Sequence, residues 1–190
     1  MLRAMRLNIP LALTLGRVAV IPVVLGLFYV DWLHARQWAC VLFVLAAITD
    51  WLDGHLARKW NQTSKFGAFL DPVADKLLVA VSLVMLLRDQ PGSVMAVLVA
   101  IIIGREITIS ALREWLAELG QRTTVAVSSI GKIKTGFQMT AIGMLIWQKP
   151  FFGLPIYELG YGLLFAAAAL TIWSMVIYLR AAWPLLKESM

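Results

Sequence analysis

Residues 50–58 read DWLDGHLAR, eight residues follow, and residues 67–75 read GAFLDPVAD. This stretch holds four of the six aspartates of the chain, Asp50, Asp53, Asp71 and Asp75, with apolar segments on both sides. On a helix, Asp50 and Asp53 are three apart and share a face, which Gly54 and Ala57 continue. Asp71 and Asp75 are four apart and share a face of the next helix. The link NQTSKF at 61–66 is polar and short. The spacing therefore predicts two antiparallel neighbouring helices whose carboxylate pairs face each other.

A carboxylate at membrane depth costs roughly 2.5–3.5 kcal/mol on insertion scales, so four cost about 10 kcal/mol unless compensated. That rivals the stability of a typical domain. Lys76 and Arg58 are too few to neutralise four charges and also bind an anion. Hard divalent cations with oxygen ligands fit better, and Mg2+ usually keeps positions open for substrate phosphates. Gly54, Ala57 and Gly67 are small enough to let a ligand approach the backbone. Phosphate or nucleotide chemistry beside a metal is the expectation.

Working outward, the 190 residues are 61% hydrophobic and only 15% charged, with a mean hydropathy of +0.80. This is the composition of an integral membrane protein. The eight tryptophans suit membrane-interface belts. The single cysteine, Cys40, excludes an internal disulfide. Residues 1–9, with Arg3 and Arg6, read as a short interfacial segment. Spans are predicted at about 10–30, from about 38 into the motif, and at about 69–87, 94–112, 128–147 and 159–178. The first run is too long for a signal-peptide core and contains Arg17. Asp71-Pro72 reads as an N-cap with proline at the first helical position. The predicted fold is all-α, an integral membrane bundle of six transmembrane helices forming one domain over 1–190.

Basic residues set the orientation. With a cytoplasmic N-terminus, that side holds Arg3, Arg6, Arg58, Lys59, Lys65, Arg113, Arg122, Lys132, Lys134, Arg180 and Lys187. The other side holds Arg36, Arg88 and Lys149, while Arg17, Lys76 and Arg105 fall within spans. Both termini and the aspartate motif are therefore expected on the cytoplasmic side. The net charge of +6 follows from this bias and needs no nucleic-acid partner.

Three further groups stand out. Asn8, Thr14 and Arg17 lie at the entry to the first helix, where Arg17 either snorkels to the interface or contacts a substrate phosphate or nucleotide. The stretch GREITISALREW at 104–115 puts Arg105 and Glu106 inside an apolar helix, with Arg113 two turns on and on the same face as Arg105. Lys132 and Lys134 begin the fifth helix. Together they suit a phosphate-bearing acceptor, although Lys134 also reads as ordinary cytoplasmic-side charge. Gly160 and Gly162 with Ala166–Ala169 read as close helix packing.

The pattern D-x2-D-G-x2-A-R-x8-G-x3-D-x3-D resembles the motif of the CDP-alcohol phosphatidyltransferases, and Asp50, Asp53, Gly54, Ala57, Arg58, Gly67, Asp71 and Asp75 fill every fixed position. The stretches around Asn8, 49–62, 66–76, 104–115 and 128–135 extend the resemblance over nearly the whole chain, towards the bacterial branch whose acceptor is sn-glycerol 3-phosphate. The resemblance implies transfer of a phosphatidyl group from CDP-diacylglycerol to that acceptor, giving phosphatidylglycerophosphate and CMP. It implies two divalent ions, Mg2+ or Mn2+, on Asp50, Asp53, Asp71 and Asp75, with Asp75 also the base or orienting group. Gly54, Ala57, Arg58, Gly67, Asn8, Thr14 and Arg17 would serve CDP-diacylglycerol, and Arg105, Arg113, Lys132 and Lys134 would serve the acceptor phosphate. A homodimer in a bacterial inner membrane, surrounded by membrane lipids, completes the expectation. Another acceptor (inositol phosphate, serine or phosphatidylglycerol), a membrane prenyltransferase and a cation transporter remain as alternatives.

Overall fold

The computed structural model describes residues 9–60, 65–118 and 129–188, without the side chains at 9–10, 50–60, 65, 68, 129–132, 185–186 and 188. Six helices lie in these residues: α1 (Ile9–Leu27), α2 (Ala35–Trp60), α3 (Lys65–Asp89), α4 (Ser93–Glu118), α5 (Ser129–Trp147) and α6 (Ile156–Glu188). Helices α4 and, to Pro184, α6 are each long and apolar enough to cross a membrane. The chain divides into two compact units, Met1–Leu86 with Ile146–Lys149, and Leu87–Leu145 with Pro150–Met190.

In the first unit α1 packs on α2. Helix α2 offers Ala35, Ala39 and Ala46 on one buried stripe with Phe43 among them, and small residues at that spacing allow close backbone approach. Helix α1 buries Leu11, Thr14, Arg17 and Val24, and Phe28, just past its end, is buried too. The Arg36 guanidinium lies 3.9 Å from the centre of the Phe28 ring.

Helix α3 departs from expectation at its start. It begins at Lys65, so Asp71 is not its N-cap and Pro72 lies inside it. Proline keeps a helical φ but has no N–H for the carbonyl four residues back. The helix loses one hydrogen bond there and continues, because Ala74, Leu78, Leu83 and Leu86 bury a face farther along.

In the second unit α4 and α6 meet along matched seams. Met95, Leu98, Ile102, Arg105, Ile109 and Leu116 line one, and Leu164, Ala167, Thr171, Ser174, Tyr178 and Ala182 the other, all buried at steps of three, four or seven. Val97, Leu98 and Ile101 share a groove with Phe165, Ala168 and Ile172, Arg105 reaches Ser174, and Arg113 reaches Tyr178. The contacts climb both helices together, so α4 and α6 run parallel. Away from the seam, Ile107, Trp173 and Trp183 are exposed, an apolar surface suited to lipid.

Gly160 is where α6 meets α5. A Cβ there would lie 2.9 Å from Met144 Cβ, 3.2 Å from Leu145 Cγ and 3.3 Å from the Ala141 carbonyl. Packing accounts for this glycine, as the sequence suggests, but not for Gly162, which faces open space. Gly160→Ala is expected to cost about 1–3 kcal/mol of stability through forced separation of the helices. Gly162→Ala should be neutral or slightly stabilising, since Ala is the better helix former. Thermal melting of both variants in detergent checks this; equal midpoints would show that the contact relaxes freely.

Candidate active site

In the first unit, Asp71 and Asp75 sit one turn apart on α3, both half-buried, with Gly67 buried one turn before Asp71. The Thr14 hydroxyl of α1 donates to Asp71 Oδ1. Thr14 is 1% exposed and Arg17 2%. Snorkelling therefore does not describe Arg17, which lies inside the protein. Thr14 is enclosed too, and what it contacts is a carboxylate of the motif. A hydroxyl that donates to one oxygen of a carboxylate fixes its rotation and leaves the other oxygen for a ligand, the usual arrangement behind a metal-binding acid. Asn8 and the side chains of Asp50, Asp53, Ala57, Arg58 and Lys132 lie outside the described residues, as does Gly54 beyond its place in α2. The backbone of α2 is helical through 50–60, so Asp50 and Asp53 keep their shared-face spacing.

The second unit holds a charged network in an otherwise apolar interior. Arg105 Nη1 donates to Glu106 Oε1 at 3.0 Å, and Lys134 of α5 donates to the same oxygen. The other Arg105 nitrogen, Nη2, donates to Ser174 Oγ of α6 at 3.3 Å. One turn on, Tyr178 Oη accepts from Arg113 Nη2 at 2.7 Å, with the Arg113 guanidinium 5.0 Å from the ring centre. Arg113 is also near enough to Lys134 for the two charges to repel. Lys134 is only 2% exposed, so it is no ordinary cytoplasmic-side charge.

Among the described residues the network holds three cations, Arg105, Arg113 and Lys134, and one carboxylate, Glu106, a surplus of two positive charges. Among the described residues, the buried Arg105 Nε has no hydrogen-bond partner, and the residue is 9% exposed. An unmatched donor on a buried cation costs a protein stability unless an anion meets it. The arrangement suits a phosphate dianion.

Sequence reasoning brought Arg105, Arg113 and Lys134 forward, and the structure gathers them. It missed Ser174 and Tyr178 on α6, and gave Glu106 no part beyond pairing with Arg105. The signal for the α6 pair was present: both fall on the buried seam, where an apolar residue would otherwise stand.

A family model described as CDP-alcohol phosphatidyltransferase matches residues 7–173. The chain belongs to that family. Among its relatives is a CDP-diacylglycerol–glycerol-3-phosphate 3-phosphatidyltransferase of Salmonella choleraesuis (strain SC-B67), 50% identical over 178 residues, which are 94% of this chain and 96% of that protein. The protein of the same name from Salmonella typhimurium (strain LT2) shares the same identity and coverage. That of Escherichia coli (strain K12) is 49% identical over the same shares. The CDP-alcohol phosphatidyltransferase match reaches into both compact units and takes in the four aspartates together with Arg105, Glu106, Arg113 and Lys134.

Proposed function

We propose that this protein transfers the phosphatidyl group of CDP-diacylglycerol to sn-glycerol 3-phosphate, releasing CMP and forming phosphatidylglycerophosphate. The observation that carries this is half identity, along nearly the full length of both chains, to proteins named for that reaction. The acceptor hydroxyl attacks the phosphorus bearing diacylglycerol. A new P–O bond forms, the pyrophosphate link to the cytidylyl phosphate breaks, and CMP leaves. Asp75 accepts or orients the proton of the attacking hydroxyl.

Asp50, Asp53, Asp71 and Asp75 would hold two divalent ions, Mg2+ or Mn2+, which neutralise charge on the pyrophosphate and the departing CMP. The half-buried carboxylates of Asp71 and Asp75 are the hard oxygen donors such ions prefer. Thr14 steadies Asp71. Gly54, Ala57, Arg58 and Gly67 serve the nucleotide end of the donor, together with Asn8 and Arg17. Arg105, Arg113, Lys132 and Lys134 take the acceptor phosphate, a role favoured by the excess of cations over carboxylate and by the unmatched Arg105 Nε.

The same proposal makes the chain one catalytic domain that crosses a bacterial inner membrane six times, with both termini cytoplasmic and a second copy as partner. The parallel course of α4 and α6 supports it, because α5 must then cross back between them in sequence. The bias of basic residues supports the orientation.

The test is CMP release by purified protein in detergent, given CDP-diacylglycerol and a panel of acceptors. Glycerol 3-phosphate should be preferred and free glycerol poor; preference for inositol phosphate or serine would overturn the acceptor. Arg105→Ala and Arg113→Ala should each raise the KM for glycerol 3-phosphate at least about tenfold, since a charge-assisted hydrogen bond contributes roughly 1.5–3 kcal/mol. The KM for CDP-diacylglycerol should move much less. Affinity lost only for CDP-diacylglycerol would reassign the basic set to the donor.

A further inference from the structure

We propose that Ser174 and Tyr178 are positioning residues that aim Arg105 and Arg113 at the acceptor phosphate, so that α6 sets acceptor affinity without touching the acceptor. This rests on the acceptor-phosphate reading of the two arginines.

The chemistry of the two partners makes the case. The Ser174 hydroxyl gives its own proton to the Thr171 carbonyl at 3.0 Å, so towards Arg105 its oxygen offers lone pairs only. It accepts from Arg105 Nη2. Tyr178 is 7% exposed and holds Arg113 twice, by the hydroxyl at 2.7 Å and by the ring face. Both partners are neutral. A carboxylate in either place would orient the guanidinium equally well but cancel the charge a phosphate needs. A neutral acceptor fixes direction and leaves the charge in place. Ser174 and Tyr178 are one helical turn apart, while Arg105 and Arg113 are two turns apart on α4. The two side chains thus hold arginines that approach from different heights, which restricts the fork geometry of each. Free arginine side chains carry large rotamer entropy, and fixing them before the ligand arrives removes that cost from binding.

The experiment is a double-mutant cycle on the full protein in detergent, with each substrate varied in turn. Tyr178→Phe keeps the ring and removes the hydroxyl. It should raise the KM for glycerol 3-phosphate about fivefold, leaving kcat at saturation and the KM for CDP-diacylglycerol within about twofold. Tyr178→Leu, which removes the ring as well, should raise it further, and Ser174→Ala should give a smaller rise through Arg105. Placed on Arg113→Ala, Tyr178→Phe should add nothing, because it acts through that arginine. If Tyr178→Phe instead raises KM by the same factor with or without Arg113, or lowers kcat and both affinities together, its role is independent or merely structural and the proposal fails. Should Arg113→Ala alone weaken only CDP-diacylglycerol, the acceptor reading fails. That result is separate from a cycle in which Arg113→Ala weakens the acceptor and Tyr178→Phe does not. Melting midpoints near that of the unchanged protein show that the variants fold, and Ser174→Ala with Arg105→Ala provides a second cycle if Tyr178→Leu does not.

Discussion

Asp71→Asn and Asp75→Asn are each expected to lower turnover by at least about 10²-fold, the low end for a lost electrostatic or acid–base group. Asparagine keeps the size of aspartate and removes only the charge. At position 71 it still presents a carbonyl oxygen to the Thr14 hydroxyl, so the tie between α1 and α3 survives. Stability should hold as well, because removing a carboxylate from membrane depth is not costly in itself. Asp50→Asn and Asp53→Asn, on α2, should behave alike, since on the proposed reading all four aspartates hold the same ions. The checks are CMP release under saturating substrates and a melting curve beside it. Near-normal turnover by Asp75→Asn would remove Asp75 from the reacting groups, whatever the other three do.

Excess chelator is expected to abolish CMP release, and added Mg2+ or Mn2+ to restore it. On the proposed reading, Asp50, Asp53, Asp71 and Asp75 would repel one another at the edge of an apolar phase, and a divalent ion would relieve that repulsion and supply positive charge to the pyrophosphate. A readout apart from turnover exists. An ion that binds only the folded protein raises its melting midpoint with concentration, and that rise should be lost in Asp71→Asn and Asp75→Asn. Full activity in chelator, or a midpoint indifferent to Mg2+ in the unchanged protein, would remove the ions from the mechanism.

Much of this was legible in the sequence because apolar periodicity and fixed spacing are local. Helix α5 begins and ends within one residue of expectation, and Arg105 with Glu106 forms the ion pair that their place in an apolar helix suggested. What escaped was of two kinds. At Asp71-Pro72 two local rules competed: the pair has the chemistry of a helix start, yet α3 begins at Lys65 and the burial of its later residues carries it through the proline. Elsewhere the missing information was nonlocal. Lys134 looks like any cytoplasmic-side lysine until α4 brings Glu106 against it, 28 residues away in the chain. Ser174 and Tyr178 gain meaning only from arginines 69 and 65 residues earlier. Periodicity marks a buried face and is silent about what that face meets.

On the proposed acceptor reading, the buried Nε of Arg105 is the atom an inhibitor would have to address. A compound that brought an oxygen to it would gain a charge-assisted bond with little competition from water. A phosphonate carries two negative charges and matches the cationic surplus. A carboxylate carries one and would leave a cation unmatched in a medium of low dielectric, where that omission weighs most. Selectivity among anionic mimics of the acceptor should therefore follow charge and oxygen geometry more closely than carbon skeleton.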